Sequence, residues 1–210
     1  MIDHVYAALR GNRGNVITEE LIDGICYGLS KKVPPQPVRA QPTPLWESIP
    51  PMEYHRYSFR AEPFGPAIPE LAHLHHLHWQ ETEAYRHGLA LNMDYEGYVA
   101  SEAAAQFVLF TIRRDGLLVG NFGAYLYRDR HTQVLAAKED TYFITREHRK
   151  GFLAIRFGAY VEASLIPFGV RELHATVKNI NRAGLVLEYN GYTPVATEYV
   201  KMVGEPHAEK

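Results

Sequence analysis

The feature that most constrains the fold is a β-strand that leads through a basic, glycine-bearing turn into an amphipathic helix. We expect the strand at residues 141–145, the turn from Glu147 to Leu153 and the helix at residues 151–166. The free amides of a helix's first turn attract anions. Arg149 and Lys150 add positive charge, and Gly151 allows close approach of the backbone. The pattern indicates a phosphate site, with an ordinary surface turn as the alternative.

The helix of this unit also carries an apolar stripe that would pack onto a sheet. Its members recur at helical spacing: Leu153, Phe157, Tyr160, Val161 and Leu165.

Strands and helices precede and follow this unit in a regular order. Alternation predicts a strand at residues 54–59, and strands are also predicted at residues 106–113, 117–128, 171–177 and 195–203. Helical periodicity predicts helices at residues 69–87, 95–103 and 181–190, with Pro69 at the start of the first and Gly88 just beyond its end. Asp115-Gly116 is a tight-turn dipeptide between two strands and predicts a hairpin.

Composition places the chain among soluble globular proteins. It has 210 residues, of which 46% are hydrophobic and 22% charged, and a formal net charge of -2, which argues against a protein that coats nucleic acid. A single cysteine, Cys26, excludes an intrachain disulfide and suits a reducing compartment. We see no signal peptide and no membrane span in the sequence, and we expect a cytoplasmic protein.

Three segments are expected along the chain. Residues 1–32 form an N-terminal appendage with one amphipathic helix at about residues 18–30, which packs on its own domain or on a partner. Residues 33–51 contain seven prolines and form a stiff linker. The main domain is expected at residues 52–210.

One stretch near the C-terminus resembles a known family. Residues 180–192 read Ile-Asn-Arg-Ala-Gly-Leu-Val-Leu-Glu-Tyr-Asn-Gly-Tyr. This spacing is similar to the Asn-x-Arg-Ala-x-x-Leu-Tyr-Glu-Lys-x-Gly-Phe segment of the GNAT acyltransferase superfamily. The resemblance extends over about residues 69–202 and is most like bacteriophage-encoded members. It implies an α/β (α+β) GNAT fold, with a mixed, mostly antiparallel twisted sheet splayed between its fourth and fifth strands and flanked by helices.

The resemblance also implies a co-substrate and the residues that bind it. Acetyl-CoA would lie along the fourth strand and over the following turn, and no metal is implied. The implied binding residues are Tyr142, Phe143, Ile144, His148, Arg149, Lys150, Gly151, Phe152, Leu153, Ala154, Asn179 and Asn181. The turn departs from the family's Gln/Arg-x-x-Gly-x-Gly/Ala pattern, since Leu153 stands where a small residue is usual.

For the chemistry, the resemblance implies a carboxylate on the fourth strand that acts as a general base. Asp140 occupies that place and Glu139 is beside it, although a solvated acidic turn explains the same residues. The family's usual tyrosine, which protonates the departing thiolate, is replaced by Leu187. Tyr189 could serve only with a shifted helix register, because it lies about 200° round the helix from residue 187.

Histidines supply the remaining candidates. His78 in the first helix and His131 after the hairpin are candidates for the acceptor side, against a simple exposed role. Four histidines in the first helix (His73, His75, His76 and His78) lack the convergent ligands of a zinc site.

Two hypotheses for the function follow. The first is an N-acetyltransferase that moves an acetyl group from acetyl-CoA to an amine by direct attack. The second is a catalytically degenerate GNAT-fold protein that binds a host or virion partner. The acceptor, a small molecule or a protein, stays open, as does a homodimer through the helix at residues 18–30. Neither a nucleic acid nor a membrane is an expected partner.

Overall fold

The computed structural model describes residues 44–87 and 89–201, with only the backbone of residues 86 and 87. The predicted appendage, its helix, Cys26 and most of the predicted linker lie outside the described residues. No helix among those described is long and apolar enough to cross a membrane.

The core of the fold is a six-stranded sheet whose spatial order follows the chain. Its strands are β1 (Met52–Tyr54), β2 (Tyr57–Glu62), β3 (Phe107–Arg114), β4 (Leu117–Arg128), β5 (Leu135–Ile144) and β6 (Val170–His174). The helices are α1 (Phe64–Thr82), α2 (Ala84–His87), α3 (Tyr95–Ala103), α4 (Leu153–Leu165) and α5 (Ala183–Tyr189). All neighbouring strands are antiparallel except β5 and β6, which are parallel. The predicted fold class is confirmed.

The parallel pair opens part of the way along β5. β6 pairs only with Leu135–Lys138, and the rest of β5 has no partner on that side. A parallel neighbour needs a crossover, which α4 supplies on one face of the sheet. The splay expected between the strands predicted at residues 141–145 and 171–177 is therefore present, between β5 and β6.

Helices cover both faces of the sheet, and the strand side chains divide between them. On one face, Phe110 and Ile112 of β3 pack with Phe157 of α4. On the other face, Phe107 and Leu109 of the same strand join the α1 cluster. A strand buried on both faces is almost continuously apolar, as β3 is.

Two hairpin turns of the sheet differ in whether a turn dipeptide marks them in the sequence. The Asp115-Gly116 hairpin is confirmed, with both residues at positive φ (51° and 89°), as a type I′ turn requires. The single strand predicted at residues 54–59 is wrong, because His55 and Arg56 form a turn between β1 and β2. His55 adopts φ 55° without a glycine beside it, so no turn dipeptide marks the hairpin.

The first helix begins at Phe64, earlier than Pro69. Its N-terminal amide, Phe64 N–H, donates to the Glu102 carboxylate at 2.9 Å. This carboxylate caps the helix from 38 residues away, so no local start signal appears in the sequence. The helix also ends at Thr82, and residues 84–87 form a separate short turn of helix.

The remaining boundaries differ modestly, with one exception. β5 begins at Leu135, β6 spans residues 170–174, and α4 and α5 are slightly shorter than expected. The exception is the final strand, since residues 195–201 form no strand in the described part of the chain. Within the predicted linker, Ile49 is 7% exposed and belongs to the core.

Candidate functional site

A cavity of about 580 Å³ occupies the opening between β5 and β6. Its walls come from the end of α1, the free part of β5, the turn before α4, the segment after β6 and one face of α5. The splay creates this space, because two diverging strands leave their facing edges unfilled.

The free edge of β5 is the backbone wall of the cavity. Peptide groups on a strand point alternately to its two edges, so an edge without a neighbour presents unpaired donors and acceptors. A bulge adds to this effect: Gly123 pairs with Thr141 and Ala124 with Glu139, so Asp140 has no partner on β4. This edge can hydrogen-bond a linear ligand that carries amide groups.

The turn between β5 and α4 closes one end of the cavity. A short 3₁₀ helix, Arg146–His148, leads to Gly151, which adopts φ 59°. The first turn of α4 has no side-chain cap and no acidic residue. Its amides and the positive end of its dipole are therefore open to an anion.

Arg149 is held by the protein itself. Its Nε donates to the Ile144 carbonyl at 2.6 Å, and its two terminal nitrogens donate to the Glu81 carboxylate. The guanidinium also lies 5.0 Å from the centre of the Phe143 ring. Arg149 thus ties the turn to α1. Lys150 and Arg182 line the same cavity and form no ion pair with any residue in the described ranges.

The two neighbouring carboxylates of β5 are directed to different partners. Glu139 accepts the Thr176 N–H at 3.2 Å, and Asp140 accepts the Tyr98 hydroxyl at 2.8 Å. Burial, helped by the Asp140 charge, raises the pKa of Glu139 to about 7. Burial also raises the pKa of Asp140, while the Tyr98 hydrogen bond lowers it. A carboxyl group that titrates near neutrality is suited to accept a proton.

His78 and His131, the two acceptor-side candidates, lie in different places. His78 lines the cavity with its ring 5.3 Å from that of Phe143. Burial lowers the pKa of His78, so the neutral imidazole is favoured. His131 is exposed in the β4–β5 loop and does not line the cavity. Within the described residues, no group of three histidine, cysteine or acidic side chains could hold a metal ion.

Helix α5 presents an apolar face to the cavity. Ala183, Val186 and Leu187 line it, at the spacing of one helical face. Tyr189 is 67% exposed and packs near Phe152, 6.1 Å between ring centres, outside the cavity. The structure therefore does not bring Tyr189 together with the other candidate residues that line the cavity.

The predicted coenzyme-binding side chains divide into two groups. The cavity is lined by Tyr142, Phe143, Ile144, Arg149, Lys150, Gly151, Ala154 and Asn181. His148, Phe152, Leu153 and Asn179 do not line it. Leu153 is instead buried in the core, and His148 lies 3.0 Å from the Tyr57 hydroxyl.

Several residues that shape the cavity had no signal in the sequence. Glu81 anchors Arg149, and Lys178 forms an ion pair with Glu83 at 2.5 Å across the cavity wall. Tyr98 reaches Asp140 from α3. Each of these contacts joins elements distant in sequence, so no local motif marks them.

Several known structures with the same fold are described as acetyltransferases. An aminoglycoside acetyltransferase from an uncultured soil metagenomic sample, solved with sisomicin, is 12% identical with a TM-score of 0.53, over 72% of this chain and 96% of that chain. A ribosomal-protein-alanine N-acetyltransferase from Brucella melitensis biovar Abortus 2308 is 17% identical with a TM-score of 0.55, over 71% of this chain and 100% of that chain. A predicted acetyltransferase from Clostridium acetobutylicum, solved with acetyl-CoA, is 10% identical with a TM-score of 0.54, over 70% of this chain and 96% of that chain.

These likenesses define the class of fold. The chain has the fold of GNAT acetyltransferases, with its cavity at the splay between the parallel strands. No protein-family model and no curated protein matches the sequence.

Proposed function

We propose that this protein is an acyl-CoA-dependent N-acetyltransferase that moves an acetyl group from acetyl-CoA to an amine. The observation that carries the proposal is the free edge of β5, which faces the cavity. The uncapped N-terminus of α4 lies at one end of the same cavity. A backbone edge suits the amides of pantetheine, and a helix N-terminus suits a pyrophosphate. The fold shared with acetyltransferases supports the same assignment.

In this proposal the turn binds the pyrophosphate mainly through its backbone. The amides after Gly151 and the first turn of α4 donate, while Lys150 and Arg182 supply positive charge along the cavity. Arg149 acts indirectly by holding the turn against Glu81.

The reaction proceeds by direct attack. Glu139 removes a proton from the bound ammonium, and the neutral amine then attacks the acetyl carbonyl carbon. The C–N bond forms, and an unpaired amide of β5 near the Asp140 bulge stabilises the oxyanion. The C–S bond then breaks, and the attacking nitrogen gives its second proton to solvent.

The departing thiolate is protonated without a tyrosine from α5. Leu187 lines the cavity in that position and cannot donate a proton. We assign this proton to solvent, because a thiol with its ordinary pKa of about 8.5 is mostly protonated at neutral pH.

Calorimetric titration with acetyl-CoA tests the proposal. We expect saturable binding, weakened about tenfold or more when Lys150→Ala and Arg182→Ala are combined. Arg171→Ala is the matched control, since Arg171 is an exposed cation of β6 that lines a different cavity. Absence of binding at millimolar acetyl-CoA would refute the proposal, and equal affinity of the double variant would refute the placement of the pyrophosphate.

The acceptor would be sought among amines. Two of the structurally similar proteins are an aminoglycoside acetyltransferase solved with sisomicin and a ribosomal-protein-alanine N-acetyltransferase. Sisomicin and a peptide with N-terminal alanine are therefore suitable first acceptors to assay.

A second candidate is a binding protein without catalysis. The apolar Leu187 and the engagement of Arg149 by Glu81 favour it. It predicts acetyl-CoA or partner binding with no acetylated product from any amine, as measured by mass spectrometry.

A further inference from the structure

Tyr98 of α3 is held in place by aromatic rings. It stacks on Phe64 with 4.9 Å between ring centres and contacts Phe107 edge-on at 5.1 Å, and Tyr125 lies 5.9 Å away. A ring packed on three sides has little rotational freedom, so the fold determines the position of its hydroxyl. That hydroxyl donates to Oδ2 of Asp140 at 2.8 Å.

The second oxygen of Asp140 has no such partner. In residues 44–87 and 89–201, no group hydrogen-bonds to Oδ1. Asp140 lines the cavity and stands at the bulge of β5, where no residue of β4 opposes it. The adjacent Glu139 is directed to Thr176 instead. Tyr98 therefore occupies one oxygen of a cavity carboxylate and leaves the other unoccupied.

We propose that Tyr98 is a positioning residue that holds Asp140 as the docking group for a positively charged amine. This inference rests on the proposed acetyl transfer and names the acceptor class: amines that are cationic at neutral pH, such as aliphatic amines or a peptide N-terminus. A phenol neutralises none of the carboxylate's charge. An ammonium supplies both the charge and the donors that Oδ1 lacks.

The two carboxylates, Asp140 and Glu139, therefore have different roles in this proposal. Asp140 binds the ammonium, and Glu139 takes its proton. Other ionisable groups near these two carboxylates include Tyr125 of β4, His78 of α1, Lys138 of β5 and Lys178 after β6. The two lysines are cations, and Lys178 is paired with Glu83.

A carbon-13 NMR titration of the Asp140 carboxyl in the full chain tests this role without turnover. The probe is 1,4-diaminobutane, and its uncharged counterpart is 1,4-butanediol. We expect the diamine to shift the Asp140 resonance saturably and the diol to leave it unchanged. Tyr98→Phe keeps the packed ring, and should raise the half-saturating concentration about tenfold. Loss of the Tyr98 hydrogen bond should also raise the pKa of Asp140.

Tyr95→Phe is the matched control, because Tyr95 lies on the same helix but its hydroxyl is 3.5 Å from His75 Nδ1. It should leave both values unchanged. The role of Tyr98 is refuted if Tyr98→Phe titrates like the unsubstituted chain, or if Tyr95→Phe has the same effect. A diol shift equal to the diamine shift refutes the amine assignment. Failure of the acetyl-transfer proposal would instead appear in the acetyl-CoA calorimetry.

Discussion

Glu139→Gln should change how the stability of the protein depends on pH. The side chain is half-buried beside the Asp140 charge, with one backbone donor from Thr176. Folding therefore raises the pKa of this carboxyl from 4.5 to about 7. The native state holds the proton more tightly than the unfolded chain does.

The sign and size of the effect follow from this shift. A carboxyl whose pKa is raised by folding destabilises the native state as pH rises from about 4.5 through about 7. The shift corresponds to about 3 kcal/mol of unfolding free energy above pH 7. Glutamine keeps the size of the side chain and cannot ionise. The stability of Glu139→Gln relative to the unsubstituted protein should thus rise by about 3 kcal/mol between acid and mildly alkaline pH.

Urea denaturation followed by tryptophan fluorescence, at about pH 5 and about pH 8, measures this difference. Glu53→Gln, which alters an exposed carboxylate of β1, serves as the control and should show no comparable change. A stability difference for Glu139→Gln that is the same at both pH values would refute the reasoning, because it would mean that Glu139 stays ionised at no cost.

The other predictions concern the first helix and the reaction. Glu102→Ala should lower the free energy of unfolding by about 1–3 kcal/mol, because the Phe64 amide at the start of α1 loses its hydrogen-bond acceptor. Glu96→Ala, at an exposed position of α3, the helix that also carries Glu102, should change it little. Denaturant unfolding compares the two variants, and equal effects would contradict the capping role. In an acetylation assay, kcat/KM should rise with pH through about 7 as Glu139 loses its proton. Glu139→Gln should lower the rate about 100-fold or more and remove this rise. A rise that survives the substitution would mean that another group is the base.

The elements that could be predicted are those with a local signal. Apolar runs identify β3 and β4, the 3.6-residue period identifies α4, and Asp115-Gly116 identifies the hairpin between β3 and β4. The turn before α4 and the candidate carboxylates Asp140 and Glu139 are likewise local. Each depends on residues that are neighbours in the chain.

Errors occurred where a distant residue decides the local structure. α1 begins at Phe64 because Glu102 caps it, and no residue near Phe64 indicates this. A strand is predicted at residues 195–203, but a strand needs a partner, and residues 195–201 have none among the described strands. Periodicity reports what a segment could form, and pairing decides whether it does.

The sequence by itself thus determined most of the order of strands and helices, the Asp115-Gly116 hairpin turn and the residue types along one edge of the sheet. The tertiary structure decided what those residues do. It set Arg149 against Glu81, turned Tyr189 outward, and brought Tyr98 to Asp140 across 42 positions of chain. The physical reason is that secondary structure follows from neighbouring side chains, whereas hydrogen-bond partners and pKa values follow from packing between elements, which no local pattern records.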